Sequence, residues 1–279
     1  MNCEEDSIPG RVLYGAILGD MIGAPYEFDQ GDKTKNFELF DRRQWVRYTD
    51  DSVMTLAVAK AIMTAGKDAG ELAMKAAFVA AMQDLGNRYA GGEYGGRFSG
   101  WLKQSNPQPY GSFGNGSAMR VSPAGWCFDT LERTREVARW SAEVTHNHPE
   151  GVKGAESVAT AIFLLRNGAD KADVRQYIID TFGYDLSRTC DEIRPTYHHV
   201  ESCQETVPEA FTAFFEGTDF EDVIRTAVSL GGDCDTLTDI AGSLAEACYG
   251  VPEWMKRECE DRLDTELLDL LNAFGEWLK

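Results

Sequence analysis

Residues 231–248 read Gly231-Gly232-Asp233-Cys234-Asp235-Thr236-Leu237-Thr238-Asp239-Ile240-Ala241-Gly242-Ser243-Leu244-Ala245-Glu246-Ala247-Cys248, two carboxylates and a hydroxyl at the head of a long apolar run. From position 235 to 248 the apolar side chains recur at helical spacing, and the glycine pair before them is a turn signal. A carboxylate at a helix N-terminus is what ordinary capping wants, because the first turn carries unpaired N–H groups and partial positive charge. One Asp is enough for that task. The excess acid favours a bound cation over a cap.

The same pattern stands far upstream. Tyr48-Thr49-Asp50-Asp51-Ser52 precedes the Ala-rich apolar run 53–62, which also has helical period. Facing each other, the two clusters would supply four carboxylates and up to three hydroxyls. An all-oxygen set suits Mg²⁺ or Mn²⁺, and its size suits a pair of ions.

Helical periodicity continues at 71–85, 131–144, 151–165, 207–215, 220–230 and 253–278. Alternating β-branched strands are hard to find, and 178–182 is too short to argue one. The pairs Gly91-Gly92, Gly95-Gly96 and Gly231-Gly232 punctuate between helices. No low-complexity linker or repeat divides the chain, so the expectation is one compact all-α helical bundle, a single domain over residues 1–279. Gly15, Gly19 and Gly23 fall on one face of an apolar helix, which implies close packing against another helix of a soluble bundle. A membrane dimer face is ruled out by Asp20 and by the short length.

Composition narrows the function classes. With 27 Lys+Arg against 46 Asp+Glu the net charge is −19, and no stretch is rich in Lys or Arg. Nonspecific binding to nucleic acid or to an anionic membrane through a basic face is therefore not expected. A pyrophosphate would need local help, from metal or from backbone N–H groups. Seven scattered cysteines, none in a C-x-x-C pair, read as reduced thiols of a cytoplasmic protein. The start Met1-Asn2-Cys3-Glu4-Glu5-Asp6 has neither the basic region nor the apolar core of a signal peptide, and no apolar stretch reaches the about 20 residues of a membrane span. Monomer is the expected state.

Further constellations carry two readings each. Asp20, inside the glycine-rich helix, either orients the metal site from behind or is exposed or capping. Glu27, after Pro25, is a loop glutamate between aromatics: solvated, or able to swing over a pocket as ligand, base or gate. Residues 110–120, dense in glycine and small polar side chains, are an ordinary turn or an anion nest, and the hydrophobic stretch 119–127 after them can hold the loop rigid. Of His146 and His148, one is expected to hydrogen-bond substrate or orient a ligand and the other to pack, since no Cys/His cluster completes a zinc site. His198-His199 reads as solvated surface. Cys234 reads as a core thiol or an oxidation liability, and Asp239 as solvated or as extending the site's charge toward a cationic leaving group. Nucleophile-elbow, P-loop and Rossmann fingerprints do not occur.

In this order, GAILGDMIGAPYEF, YTDDSVMTLAVAKAI, GNGSAMRVSPAG, SAEVTHNHP and SLGGDCDTLTDIAGSLAEACYG resemble the motifs of the ADP-ribosylglycohydrolase family over nearly the whole chain. The resemblance implies an all-α orthogonal bundle with a binuclear Mg²⁺ (or Mn²⁺) centre. It gives Thr49, Asp50 and Asp51 as one ligand triplet and Asp233, Asp235 and Thr236 as the other. Glu27 matches a mobile glutamate that reaches the metals. Asn115, Gly116, Ser117 and Met119 match the loop that holds ADP-ribose, and His146 a substrate-contacting histidine. Catalysis would rest on Glu27, Asp50 and Asp235, with an ADP-ribosylated protein side chain, arginine among them, as substrate. The alternatives are another ADP-ribose conjugate, such as an acyl ester or modified nucleobase, and a non-catalytic ADP-ribose binder. The acceptor side of the pocket falls to loops 29–45 and 186–200.

Overall fold

The computed structural model describes residues 12–41, 43, 46–89 and 94–279. The first six residues, with Cys3, the Gly91-Gly92 pair and Trp45 lie outside them. The helices run α1 (Tyr14–Gly23), α2 (Asp50–Ala65), α3 (Glu71–Arg88), α4 (Gly96–Leu102), α5 (Gly116–Met119), α6 (Ser122–Cys127), α7 (Leu131–Glu143) and α8 (Pro149–Arg166). There follow α9 (Lys171–Phe182), α10 (Cys190–Ile193), α11 (Cys203–Glu216), α12 (Phe220–Val228), α13 (Cys234–Tyr249), α14 (Glu253–Glu260) and α15 (Thr265–Trp277). A 3₁₀ turn, Ala24–Tyr26, extends α1. Among the described residues there is no strand, only an isolated bridge between Gly114 and Ser202. The fold is all-α, as the periodicity requires.

Two departures have local causes. The stretch 253–278 is two helices, because the Asp264 carboxylate accepts the Leu267 N–H at 3.0 Å and starts α15 afresh. Residues 178–182 close α9, a surface helix that buries only Val174 and Ile178 and so lacks an apolar stripe to announce it.

Residues 51–59 of α2 and 234–246 of α13 are buried without a break, so both helices run through the core. Against α13 lies α1, and here the glycine stripe acts. A methyl group on Gly15 would overlap the Gly242 carbonyl oxygen, one on Gly19 the Thr238 carbonyl, and one on Gly23 the Cys234 carbonyl. The two backbones touch along the whole of α1. At its N-terminus, where Leu13 supplies no side-chain cap, the buried Glu246 of α13 accepts the N–H groups of Tyr14 (3.3 Å) and Gly15 (2.9 Å). Burial pushes the Glu246 carboxyl up to about 7 in spite of those bonds.

Gly19→Ala tests this contact. In an exposed helix the change would stabilise by up to about 1 kcal/mol. Here the clash is with backbone, which cannot step aside, so a net loss of about 1–3 kcal/mol is expected by urea denaturation. A neutral or stabilising result would contradict the packing.

Candidate active site

The α1–α13 contact decides what faces what. Asp20, fully buried on α1, reaches the start of α2 and accepts the Thr49 N–H (2.9 Å), the Thr49 hydroxyl (2.8 Å), the Ser52 N–H (3.1 Å) and the Ser52 hydroxyl. It therefore caps α2 from another helix. Burial pushes its carboxyl up to about 6, against the pull of the four donors. The Thr49 hydroxyl proton is committed to Asp20, and Thr49 Oγ1 also accepts the Asp51 N–H at 3.3 Å, so one lone pair is left for another partner. Of the readings of Asp20, exposure is wrong and capping is what the structure shows, the capped helix being the one that begins at Asp50 and Asp51.

The two acidic clusters meet. Thr236 Oγ1 donates to Asp51 Oδ2 at 2.8 Å, a bond between residues 185 apart in sequence. Asp233 occupies the N-cap position of α13, where the Gly231-Gly232 turn (φ 73° and 81°) delivers it, but its side chain makes no cap bond. It accepts instead from Asn115 Nδ2 at 2.5 Å, which also donates to Thr206 Oγ1 at 3.0 Å. Asp235 accepts its neighbour's N–H, from Thr236, at 2.8 Å. Capping thus leaves most of this acid unexplained.

Glu27, Asp50, Asp51, Asp233, Asp235 and Thr236 line one cavity of about 270 Å³, together with Asn115, Gly116, Met119 and His146. Burial above all, and then mutual repulsion, raises the carboxyls of Asp51 and Asp235 well above the usual range: Asp51 feels Asp235 and Asp50, and Asp235 feels Asp233 and Glu27. Asp233 is raised by burial and partly relieved by Asn115. Thr49 and Ser117 stand behind the wall. The Ser117 hydroxyl turns away to the Gly151 carbonyl (2.7 Å) and braces the loop.

His146 is buried in the wall. Arg120 Nη2 donates to Thr145 Oγ1 at 2.7 Å, and that hydroxyl lies 2.7 Å from His146 Nδ1. Arginine cannot accept, and the other acceptor open to the hydroxyl, the Ala142 carbonyl, is 3.5 Å away against 2.7 Å for Nδ1. This favours the proton going to Nδ1 and the ring carrying its own on Nε2, beside Gly114 and Gly116. Burial, with Arg120 and Arg97 nearby, holds this imidazole well below its ordinary range, so it is a neutral donor. His148, by contrast, caps α8 through Nδ1 and packs on Phe113.

Two residues, His199 and Asp239, differ from the sequence reading, and Cys234 takes the first of its two. His199 is not solvated surface like its neighbour His198: the Phe28 ring packs against its ring at 4.7 Å, and its ring offers a ligand atom within 4.8 Å of those of Glu27 and Asp233. Asp239 is not solvated either. It is wholly buried, neither carboxylate oxygen has a partner, and burial with Asp20 close by raises it well above the usual range. It is not part of the cavity wall. Cys234 is a buried core thiol, pushed up by burial. Sequence reasoning missed Arg97 in the wall, where it lies 4.7 Å over the Tyr110 ring, and it gave Tyr110 and Arg120, the ends of the loop it singled out, no role of their own.

The chain belongs to the ADP-ribosylglycohydrolase family, whose model matches residues 10–278. It is a glycohydrolase of ADP-ribosyl groups. It is 28% identical over 280 residues to an ADP-ribosylarginine hydrolase of Pseudomonas putida, covering 88% of this chain and 72% of that protein. An ADP-ribosylhydrolase of Homo sapiens is 26% identical over 92% of this chain and 90% of its own length, and the ADP-ribosyl-[dinitrogen reductase] glycohydrolase of Rhodospirillum rubrum 25% over 86% and 84%. In fold, the chain matches an ADP-ribosylglycohydrolase-related protein complex with a TM-score of 0.69 at 23% identity over 97% of both chains. No helix among the described residues is long and apolar enough to cross a membrane.

Raised carboxyl groups set the pH response. Folded Asp51, Asp235 and Asp239 hold protons that the unfolded chain releases near pH 4, so stability is full below that pH and falls as pH rises through the folded values. Without divalent cations, the urea midpoint is expected to fall between pH 5 and pH 8, and less steeply in Asp239→Asn. A flat profile in both proteins would contradict the buried cluster.

Proposed function

We propose that this chain is a divalent-metal-dependent hydrolase that cleaves the glycosidic bond between ADP-ribose and a protein side chain, arginine in the first instance. The observation that carries the reading is the Thr236–Asp51 hydrogen bond, which closes the two triplets into one buried carboxylate centre. The donor set fits a hard cation: oxygen ligands only in the triplets, buried at Asp51, Asp233, Asp235 and Thr236 and half-buried at Thr49 and Asp50, with the Thr49 and Thr236 hydroxyl protons both turned onto carboxylates and a lone pair left over on each. Thr49, Asp50 and Asp51 would hold one ion and Asp233, Asp235 and Thr236 the other, with Glu27 reaching both. Bound there, Mg²⁺ or Mn²⁺ supplies charge neutralisation and Lewis acidity toward the ribose oxygens.

The chain's own side chains account for the rest. Glu27, Asp50 and Asp235 edge the cavity, where a carboxylate can take a proton from attacking water and stabilise positive charge growing at the anomeric carbon. Neutral His146 offers its Nε2–H to a substrate oxygen. Asn115, held by its bonds to Asp233 and Thr206, fixes the Gly116–Met119 segment against the site. Arg97 and Arg120 bring cations to the wall, the local help that a pyrophosphate needs in a chain of net charge −19. Arginine is favoured as acceptor by the hydrolase of Pseudomonas putida, whose name specifies that linkage. The free cysteines of the described residues suit a cytoplasmic setting.

Release of free ADP-ribose from an arginine-ADP-ribosylated protein tests this. Turnover is expected with Mg²⁺, not with EDTA, and Asp235→Ala should lower it more than about a hundredfold. Release from ester or nucleobase conjugates alone would move the substrate assignment, and ADP-ribose binding without any turnover would replace the hydrolase by a binder.

A further inference from the structure

His199 has no place in either triplet, yet its surroundings are those of a metal ligand. Its Nε2 lies 3.2 Å from Glu201 Oε1, while Nδ1 is buried and has no hydrogen-bond partner. A neutral imidazole that gives Nε2–H to a carboxylate carries its lone pair on Nδ1. Carboxylate–histidine pairs of this kind orient metal-bound histidines and raise their basicity. Glu27, His199 and Asp233 each offer a ligand atom, all within 4.8 Å of one another.

The ring is also held. Phe28 packs against it in a tilted arrangement, with an interplanar angle of 34°. Asp29 ties together the three segments involved: its Oδ2 accepts the His199 N–H at 3.0 Å, its Oδ1 accepts the Gly232 N–H at 3.1 Å, and it follows Glu27 by two residues. Phe28 and Asp29 adopt positive φ (58° and 56°), a conformation that non-glycine residues reach only where the surroundings impose it. Lys33 adds a second tie, donating to the Tyr197 and Arg194 carbonyls. One strap thus sets Glu27, His199 and Asp233 around one point.

We infer that His199 is a nitrogen ligand, through Nδ1, to the ion held by Glu27 and Asp233, and that Glu201 orients it. The inference rests on the metal-dependent reading above. A mixed nitrogen–oxygen site binds Mn²⁺ better relative to Mg²⁺ than an all-oxygen site does, because imidazole suits transition ions and Mg²⁺ prefers oxygen. The centre is then chemically asymmetric, with the His199 side the more selective for Mn²⁺.

Pulsed electron paramagnetic resonance on the full chain loaded with Mn²⁺ reads the ligand directly. Imidazole ¹⁴N modulation is expected in the wild type and its loss in His199→Gln, which still binds Mn²⁺ through oxygen but with a lower preference over Mg²⁺. Glu201→Gln should keep the modulation while weakening Mn²⁺ binding about 10–100-fold. Bound Mn²⁺ without ¹⁴N modulation, or modulation that survives in His199→Gln, would overturn the inference and leave the carboxylate centre standing. Failure of the wild type to bind Mn²⁺ or Mg²⁺ at all would remove both.

Discussion

The backbone contact between α1 and α13 is the constraint on which the site depends. Glycine at 15, 19 and 23 lets the two helices approach until their main chains touch. This approach places Asp20 where it can cap α2 from outside, and it places the segment after Gly23 against the head of α13. Thr49, Asp50 and Asp51 are then presented on one side, Glu27 on another, and Asp233 to Thr236 on the third. A wider spacing, as any larger residue would force, would pull Asp20 from Thr49 and Ser52 and loosen α2 at its first turn.

Electrostatics explains why such rigidity is needed. Buried carboxylates that repel one another disfavour the folded state at neutral pH, and their raised proton affinities measure that burden. Packing of α2 and α13 through the core has to offset it. A cation set among the carboxylates would reverse the sign of the interaction, so the same cluster that burdens the free protein would bind it. Other residues of the lining have the opposite character. The buried Arg120, Arg97 and the neutral His146 also line the cavity, a mixture of charge that suits a substrate with both an anionic pyrophosphate and a developing positive centre.

Much of this could be read in the sequence because it is local. The two Asp-rich helix starts, the i, i+4, i+8 glycine stripe and the small-residue loop at 110–120 are each contained in a few consecutive positions. The features that escaped depend on tertiary contacts. His199 looks like a surface histidine until Phe28 and Asp29 fold over it. Asp239 carries a charged side chain in a polar-looking register, yet the helix that bears it is buried on every face. Asp20 was ambiguous because its partners lie about thirty residues away, on a different helix. Arg120 and Thr145 are unremarkable singly and gain meaning only as the pair that sets the proton on His146. Helix ends followed the same rule: Asp264 gave no warning that it would restart a helix, and α9 has too little buried surface to show a period.

The central claim is that two distant triplets form one two-ion centre. Anomalous scattering from a crystal grown with Mn²⁺ tests it most directly. The account predicts two peaks, about 3.5–4 Å apart, between Thr49-Asp50-Asp51 and Asp233-Asp235-Thr236. No peak at these carboxylates, or a single ion bound away from one of the triplets, would contradict it.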